Sequence, residues 1–178
     1  MFLIIILIRL RKKKIIVFGN LPYNISSQIL IKFLKLKNLE TKIDDFIFMF
    51  QKELGEKIIG KFPSKNYGRL SIITNLKLTI VKKFLVSPNC FFPKPKVTSM
   101  VIHFKSLKNN LYGLKNISNL EKITGIIFSN KRKIIKKGVE KIMNKNILNK
   151  IPNLNLSLRP EEVPPKTFYE IAKLYEKN

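Results

Sequence analysis

Ile15-Ile16-Val17-Phe18 limits the fold of this chain more than any other stretch. These are consecutive apolar residues, mostly β-branched, and they end at Gly19 with no polar position among them. A strand open to water on one face alternates apolar and polar residues, so an unbroken run predicts a strand covered on both faces, as in a parallel sheet. Ser26 to Lys37 follows, with Ile29, Leu30, Phe33, Leu34 and Leu36 near helical spacing, which predicts an amphipathic helix. Phe46-Ile47-Phe48-Met49-Phe50 predicts a second buried strand, and Glu53 to Gly60 a short helix closed by its glycine. Arg69 to Lys77 is apolar and fits either a helix or a strand. Leu78 to Val86 and Val97 to Phe104 predict two more strands, joined by Phe91-Phe92-Pro93-Lys94-Pro95-Lys96. Strand, helix, strand, helix and then paired strands implies an α/β sheet with a terminal hairpin.

Past residue 106 the pattern changes. Lys108-Asn109-Asn110 reads as a polar linker, Asn119 to Leu148 as helical and basic, and Lys166 to Tyr175 as a last amphipathic helix. Pro152 and the cluster Pro160, Pro164, Pro165 break the chain between them. Two domains are therefore expected, residues 1–106 as the α/β part and 107–178 as a small all-helical, basic part.

The turn after the first buried strand carries a candidate chemistry. In Asn20-Leu21-Pro22-Tyr23 the Asn20 side-chain oxygen can accept a hydrogen bond from a planar exocyclic amine. A residue before proline is pushed to extended backbone, which aims the Leu21 carbonyl as a second acceptor. Pro22 stiffens the loop, and Tyr23 offers a ring face for stacking a base, a contact of about 1–3 kcal/mol. The same four residues also fit a plain strand-to-helix turn.

Charge points to the partner. The 178 residues hold 35 Lys and Arg against 11 Asp and Glu, a formal net charge of +24. No acidic residue precedes Glu40, and residues 131–150 carry Glu140 alone against a run of lysines and Arg132. Such an excess predicts a polyanion, with nucleic acid the commonest, although an AT-biased genome rich in Lys, Ile and Asn codons gives the same composition. The basic residues expected to meet RNA are Arg69, Lys94, Lys96, Lys131, Arg132, Lys133, Lys136 and Lys137. The single cysteine, Cys90, excludes an internal disulfide and suits a reducing cytoplasm. It lacks the partners of a nucleophile, and His103, inside a strand, reads as structural. No metal site is expected.

Several segments together resemble the adenine-N6 dimethyltransferases of small-subunit ribosomal RNA. They are Val17-Phe18-Gly19-Asn20-Leu21-Pro22-Tyr23-Asn24-Ile25-Ser26, Gln51-Lys52-Glu53 and Tyr67-Gly68-Arg69-Leu70-Ser71. Phe91-Phe92-Pro93-Lys94-Pro95-Lys96-Val97-Thr98-Ser99, the basic stretch Phe128 to Lys137 and Leu158-Arg159-Pro160-Glu161-Glu162 follow in family order. Lys94 replaces a proline that many relatives carry, and Gln51-Lys52-Glu53 also fits simple helix-start chemistry. The resemblance implies the C-terminal part of a Rossmann-like methyltransferase sheet with S-adenosylmethionine as methyl donor. It implies that Asn20 and the Leu21 carbonyl grip the adenine N6 amine, that Tyr23 and Phe91 close on the two faces of the base, and that Asn20 borders the donor. The implied substrate is a pair of adjacent adenosines in a hairpin loop, unstacked before transfer to N6. A related branch modifies large-subunit RNA and confers macrolide resistance, but it more often carries Asn-Ile-Pro-Tyr, so Leu21 and the Pro-Lys-Pro-Lys-Val loop favour the small-subunit enzymes.

The donor side is what the chain lacks. A donor site of this type needs a glycine-rich first turn and an acidic residue on the ribose hydroxyls. No two glycines stand at G-x-G spacing and no carboxylate lies upstream of Asn20. An incomplete fragment, one half of a split enzyme with a separate donor-binding chain, and a non-catalytic ribosome-assembly factor are the readings that follow. The first strand then loses its neighbour and leaves an unpaired edge. The apolar leader Phe2 to Ile8 is too short to span a membrane and has its basic residues on the wrong side for a secretory signal. It either covers that edge as a substitute strand or comes from a frameshifted or mis-called start, the preferred reading.

Overall fold

A computed structural model describes residues 4–9, 15–108, 112–151 and 154–177. The linker positions 109–110, the start of the leader and Pro152 lie outside the described residues. The chain divides into two compact units, residues 1–59 with 74–109, and residues 60–73 with 110–178.

The first unit is a mixed α/β fold on a five-stranded sheet. Its strands are β1 (Ile4–Arg9), β2 (Ile15–Asn20), β3 (Ile43–Gln51), β4 (Leu78–Val86) and β5 (Ser99–Ser106), in the spatial order β1-β2-β3-β5-β4. β2 and β3 are parallel, as the unbroken apolar run predicts, and the crossover between them carries α1 (Ser26–Leu34) and the short α2 (Leu39–Lys42). β4 and β5 pair antiparallel from Leu78↔Ser106 to Val86↔Ser99, which is the expected hairpin, and β5 also pairs antiparallel with β3. α3 (Lys52–Ile58) follows β3 directly.

β3 departs from the uniformly buried strand its composition suggests. Phe46, Phe48 and Phe50 are fully buried while Ile47 and Met49 between them are only partly covered. The pleat sends alternate side chains to opposite faces, so one face forms the core. Phe33 of α1 meets that face edge-on, its ring centroid 5.3 Å from Phe46 and 5.6 Å from Phe48. Phe50 continues the row to Phe104 of β5 at 6.4 Å. Each ring fully removed from water contributes about 1.5–3 kcal/mol, and Leu30 and Leu34 seal the row from α1.

The leader is a strand. β1 pairs antiparallel with β2 along its whole length, from Ile4↔Asn20 to Arg9↔Ile15, and so covers the β2 edge in the way expected of a substitute strand. The new edge is itself apolar, with Ile6, Leu7 and Ile8 exposed.

The second unit is helical. It contains α5 (Ile117–Phe128), α6 (Lys136–Glu140), α7 (Lys145–Leu148) and α8 (Pro165–Tyr175). α4 (Arg69–Lys77) resolves the ambiguous apolar stretch as a helix, and residues 60–73 belong to this unit. Two tyrosine hydroxyls fasten that segment: Tyr67 donates to the Val163 carbonyl and Tyr169 to the Ile72 carbonyl, both at 2.8 Å. The stretch from Asn119 to Leu148 is not continuous helix. Turns occupy residues 129–134, where the basic run begins. There the Ile135 and Lys136 amides are drawn to the Leu158 and Leu156 carbonyls at 2.8 and 3.2 Å. Those outside carbonyls take donors that a through-running helix would keep for itself. No helix among the described residues is long and apolar enough to cross a membrane, and none of their His, Cys, Asp and Glu residues cluster as a metal site.

Candidate active site

Asn20 is the last residue of β2, with Ile4 of β1 opposite on one side and Met49 of β3 on the other. The chain then turns. The Ile25 amide donates to the Pro22 carbonyl at 3.2 Å and the Ser26 hydroxyl to the Tyr23 carbonyl at 3.2 Å, so the motif closes directly onto the first turn of α1. Leu21 is fully buried beneath the turn. Gly19 is what lets it pack there: a Cβ at that position would lie 2.8 Å from both Leu21 Cδ2 and Phe48 Cδ1. Glycine is demanded at this point by close approach rather than by an unusual backbone angle.

Asn20 Oδ1 is buried and has no hydrogen-bond partner. A buried acceptor without a donor costs about 1–3 kcal/mol, so native chains tolerate one where a ligand supplies the donor. It is a neutral amide oxygen, suited to accept from an N–H donor and not to bind an anion. The Tyr23 ring next to it is held at its far end, the phenol oxygen 2.7 Å from Ser99 Oγ. Ser99 is fully buried at the start of β5. Sequence reasoning missed this partner, although Thr98-Ser99 ends the proline-rich motif that was singled out. The same junction is tied from a second side by the Lys52 amide, which donates to the Thr98 carbonyl at 2.9 Å.

Phe91 follows a one-turn 3-10 helix at Pro88–Cys90, its amide donating to the Pro88 carbonyl at 3.2 Å, and its side chain is half-buried. Phe92 does not pack beside it but stands fully in solvent, and Lys94, Lys96 and Cys90 are also exposed. Gln51 ends β3 opposite Ser99, and Lys52 and Glu53 open α3. The Lys57 ammonium, hydrogen-bonded to Glu53 at 2.7 Å, holds that carboxyl below its ordinary range. His103 meets Asp45 across the sheet, Nε2 to Oδ1 at 2.7 Å, in the structural role its strand position suggests.

The remaining basic residues lie in the helical unit. Arg69 is engaged, its guanidinium 3.2 Å from Glu121, a partner that nothing in the local sequence around either residue announces. Lys131, Arg132 and Lys133 are exposed on the turns after α5, and Lys136 and Lys137 on the first turn of α6. Lys133, Lys136 and Lys137, with Lys141, line a cleft of about 880 Å³ and face the same space as Ile134 and Ile135; Lys131 and Arg132 do not line it.

The comparisons agree with this geometry. Residues 8–177 match the family model described as ribosomal RNA adenine dimethylase. The chain is 40% identical over 166 residues to the ribosomal RNA small subunit methyltransferase A of Pelagibacter ubique, covering 92% of this chain and 63% of that protein. It is 38% identical over 170 residues to the enzyme of the same name from Buchnera aphidicola, covering 94% and 61%. It thus spans about three fifths of the length of the curated relatives it matches. The fold is similar to that of a dimethyladenosine transferase from Plasmodium falciparum, with a TM-score of 0.72 at 24% identity over 91% of this chain and 66% of that one. It is also similar to the 23S rRNA methyltransferase ErmE, with a TM-score of 0.60 at 18% identity over 95% and 68%. An apolar parallel strand ending in Asn-Leu-Pro-Tyr, a buried acceptor at its tip and a family match along almost the whole sequence lead to one conclusion: the chain belongs to the ribosomal RNA adenine dimethylase family.

Proposed function

We propose that this chain forms the adenine-holding side of a small-subunit rRNA adenine-N6 dimethyltransferase, with residues 1–106 as the partial catalytic part and 107–178 as the RNA-binding part. The observation that carries the reading is the buried, partnerless Asn20 Oδ1. An adenine amine entering the turn donates one hydrogen to that oxygen and the other to the Leu21 carbonyl. Both acceptors draw the amine out of conjugation with the ring and leave its nitrogen lone pair free to act as nucleophile. Tyr23, braced by Ser99, stacks on one face of the base and Phe91 closes the other. Lys94 and Lys96 on the loop before β5, and Arg69, Lys131, Arg132, Lys133, Lys136 and Lys137 in the helical unit, meet phosphates of the small-subunit RNA. Small-subunit RNA is preferred to large-subunit RNA because the relatives near 40% identity carry the small-subunit name.

S-adenosylmethionine is the donor the family implies, and its methyl group is what the reaction supplies to N6. Apart from Asn20 at its border, the residues described here do not fit its site. The position beside β2 is taken by Ile4–Arg9, which offers neither a glycine turn nor a carboxylate. The donor-holding residues are therefore assigned to another polypeptide segment, and the residues named above bind and orient the acceptor.

The test removes one functional group from the RNA. Hairpins whose loop carries either adenosine or purine riboside, which lacks the 6-amino group, at the target position are compared for binding. The wild-type chain is expected to favour adenosine about a hundredfold, from two hydrogen bonds made to the amine, and Asn20→Ala to keep only about tenfold through the Leu21 carbonyl. Equal binding by the wild type would overturn the reading.

A further inference from the structure

Phe92 is the most exposed aromatic residue among those described, with a relative accessibility of 102%. Its neighbour Phe91 is half-buried, so the loop turns one ring inward and the other outward. The outward ring stands on a stiff base. Pro88, Pro93 and Pro95 restrict the backbone, the Asn89 amide donates to the Ser87 hydroxyl at 3.3 Å, and the Phe91 amide to the Pro88 carbonyl at 3.2 Å. The loop re-enters the sheet at Ser99, whose hydroxyl holds Tyr23. Phe92 is thus mounted on the loop that enters β5 at Ser99, the residue that braces Tyr23, and Lys94 and Lys96, both exposed, follow it.

A rigid, solvated aromatic ring with two cations close by in sequence matches an unpaired nucleotide. The ring takes the base face and the ammonium groups take the phosphates on either side. An apolar protein partner would find lysines where it needs apolar contact. A second copy of this chain would bring its own excess positive charge to the same place, because the net charge is +24. Complementarity therefore selects a polyanion that carries flat apolar faces, which is single-stranded RNA.

We infer that Phe92 is a second stacking platform, taking the base next to the target adenosine in the loop while the target itself enters the Asn20 turn. The inference rests on the function proposed above and adds to it a contact outside the adenine pocket. Unstacking a target leaves its neighbour without a stacking partner, and an exposed ring on the loop that braces Tyr23 replaces the lost contact. The platform does not read the identity of that base, since every base presents a π face. It makes the displaced loop conformation the one that is bound.

The experiment pairs a protein change with an RNA change. Phe92→Ala, Phe92→Leu and Phe92→Tyr are compared with the wild type on hairpins with an abasic nucleotide on either side of the target in turn. The wild type is expected to lose about tenfold in affinity when one of the two neighbouring bases is removed. Phe92→Ala and Phe92→Leu should bind the intact hairpin about tenfold more weakly and be indifferent to that removal, while Phe92→Tyr behaves as wild type. Wild-type binding to Phe92→Ala, or full retention by Phe92→Leu, overturns the platform. So does a change in self-association, read by sedimentation, without a change in RNA affinity. The preference for adenosine over purine riboside reports separately on Asn20. Loss of that preference in the wild type sinks the proposed function, whereas indifference to Phe92 with the preference intact sinks only the platform.

Discussion

In the function proposed above, the Asn20 turn and the lysine-lined cleft take different halves of one recognition problem. At Asn20 the chain buries a neutral acceptor and leaves it without a hydrogen-bond partner. Around residues 133–141 it gathers cations over a cleft and leaves them solvated. A buried neutral acceptor discriminates, because a mismatched ligand leaves it unpaired, but it adds little affinity. Solvated cations add affinity by releasing counterions from phosphate, but they cannot tell one base from another. Selectivity and strength are therefore separable by mutation, and each should respond to its own variable.

The largest effect is expected from the cations. Changing Lys131, Arg132, Lys133, Lys136 and Lys137 together to Gln should weaken hairpin binding about a hundredfold at moderate salt and flatten its salt dependence by about three units of slope. The preference for adenosine over purine riboside should survive. Loss of that preference along with affinity would show that the two regions act as one.

Alkaline pH separates the two units next, through stability. Burial raises the Tyr67 hydroxyl far above its ordinary value, with Tyr169 adding to the shift, and burial likewise raises Tyr169, with Tyr112 adding to it. In the unfolded chain these hydroxyls ionise near 10, so the stability they confer is complete below that pH and is lost as pH climbs toward the folded values. The loss approaches about 1.4 kcal/mol per pH unit for each tyrosine. Lys77, in the sheet unit, is shifted the other way: burial lowers its ammonium below the usual range, against the opposing pull of Glu40. Its penalty is relieved as pH rises from the folded value toward the unfolded one. Denaturant melts on either side of pH 10, followed by near-ultraviolet signals, should show the helical unit weakening first.

Asn20→Ala should cost about tenfold in binding to adenosine hairpins and nothing on purine riboside. Its melting temperature should not fall, because the change removes a buried group that has no partner. A clear drop in stability would mean that Oδ1 serves the resting fold. The smallest effect belongs to the brace behind the ring. Tyr23→Phe and Ser99→Ala should each cost about 1 kcal/mol in stability or RNA binding, and the double change little more than either alone. Additive losses would show that the hydroxyls act independently.

Much of this arrangement is legible from local pattern. The apolar run at Ile15 to Phe18 forms a strand parallel to β3, although only Val17 of the run is fully buried and Ile15, Ile16 and Phe18 are partly exposed rather than covered on both faces. Asn20-Leu21-Pro22-Tyr23 sits at its tip because a strand must turn before it feeds a helix. What local pattern does not carry is the identity of distant partners. Nothing around Tyr67 says that its hydroxyl will meet Val163, so the grouping of residues 60–73 with the helical unit is invisible until the chain is folded. Ser99 is similar: a small polar residue beside a strand becomes a brace only when Tyr23 arrives from far along the sequence. The break in the basic helix escaped for another reason. Residues 129–134 contain no proline or glycine to mark it, and the carbonyls that interrupt it belong to residues 156 and 158. The leader was hard to read because a run of seven apolar residues, Phe2 to Ile8, fits a strand as well as it fits nothing in particular, and its pairing appears only in the ladder to β2.

That ladder has a consequence for handling the protein. By covering β2, β1 moves the sheet margin outward and leaves Ile6, Leu7 and Ile8 at 54%, 61% and 44% exposure on a strand with one free hydrogen-bonding side. Such a margin invites the same margin of another copy. What holds copies apart is mutual repulsion at a net charge of +24, a long-range force that dissolved ions attenuate within about 10 Å at 0.1 M. If the lysines hold RNA as proposed, colloidal stability and RNA release pull against each other: the salt that strips nucleic acid from them also weakens the repulsion between bare strands.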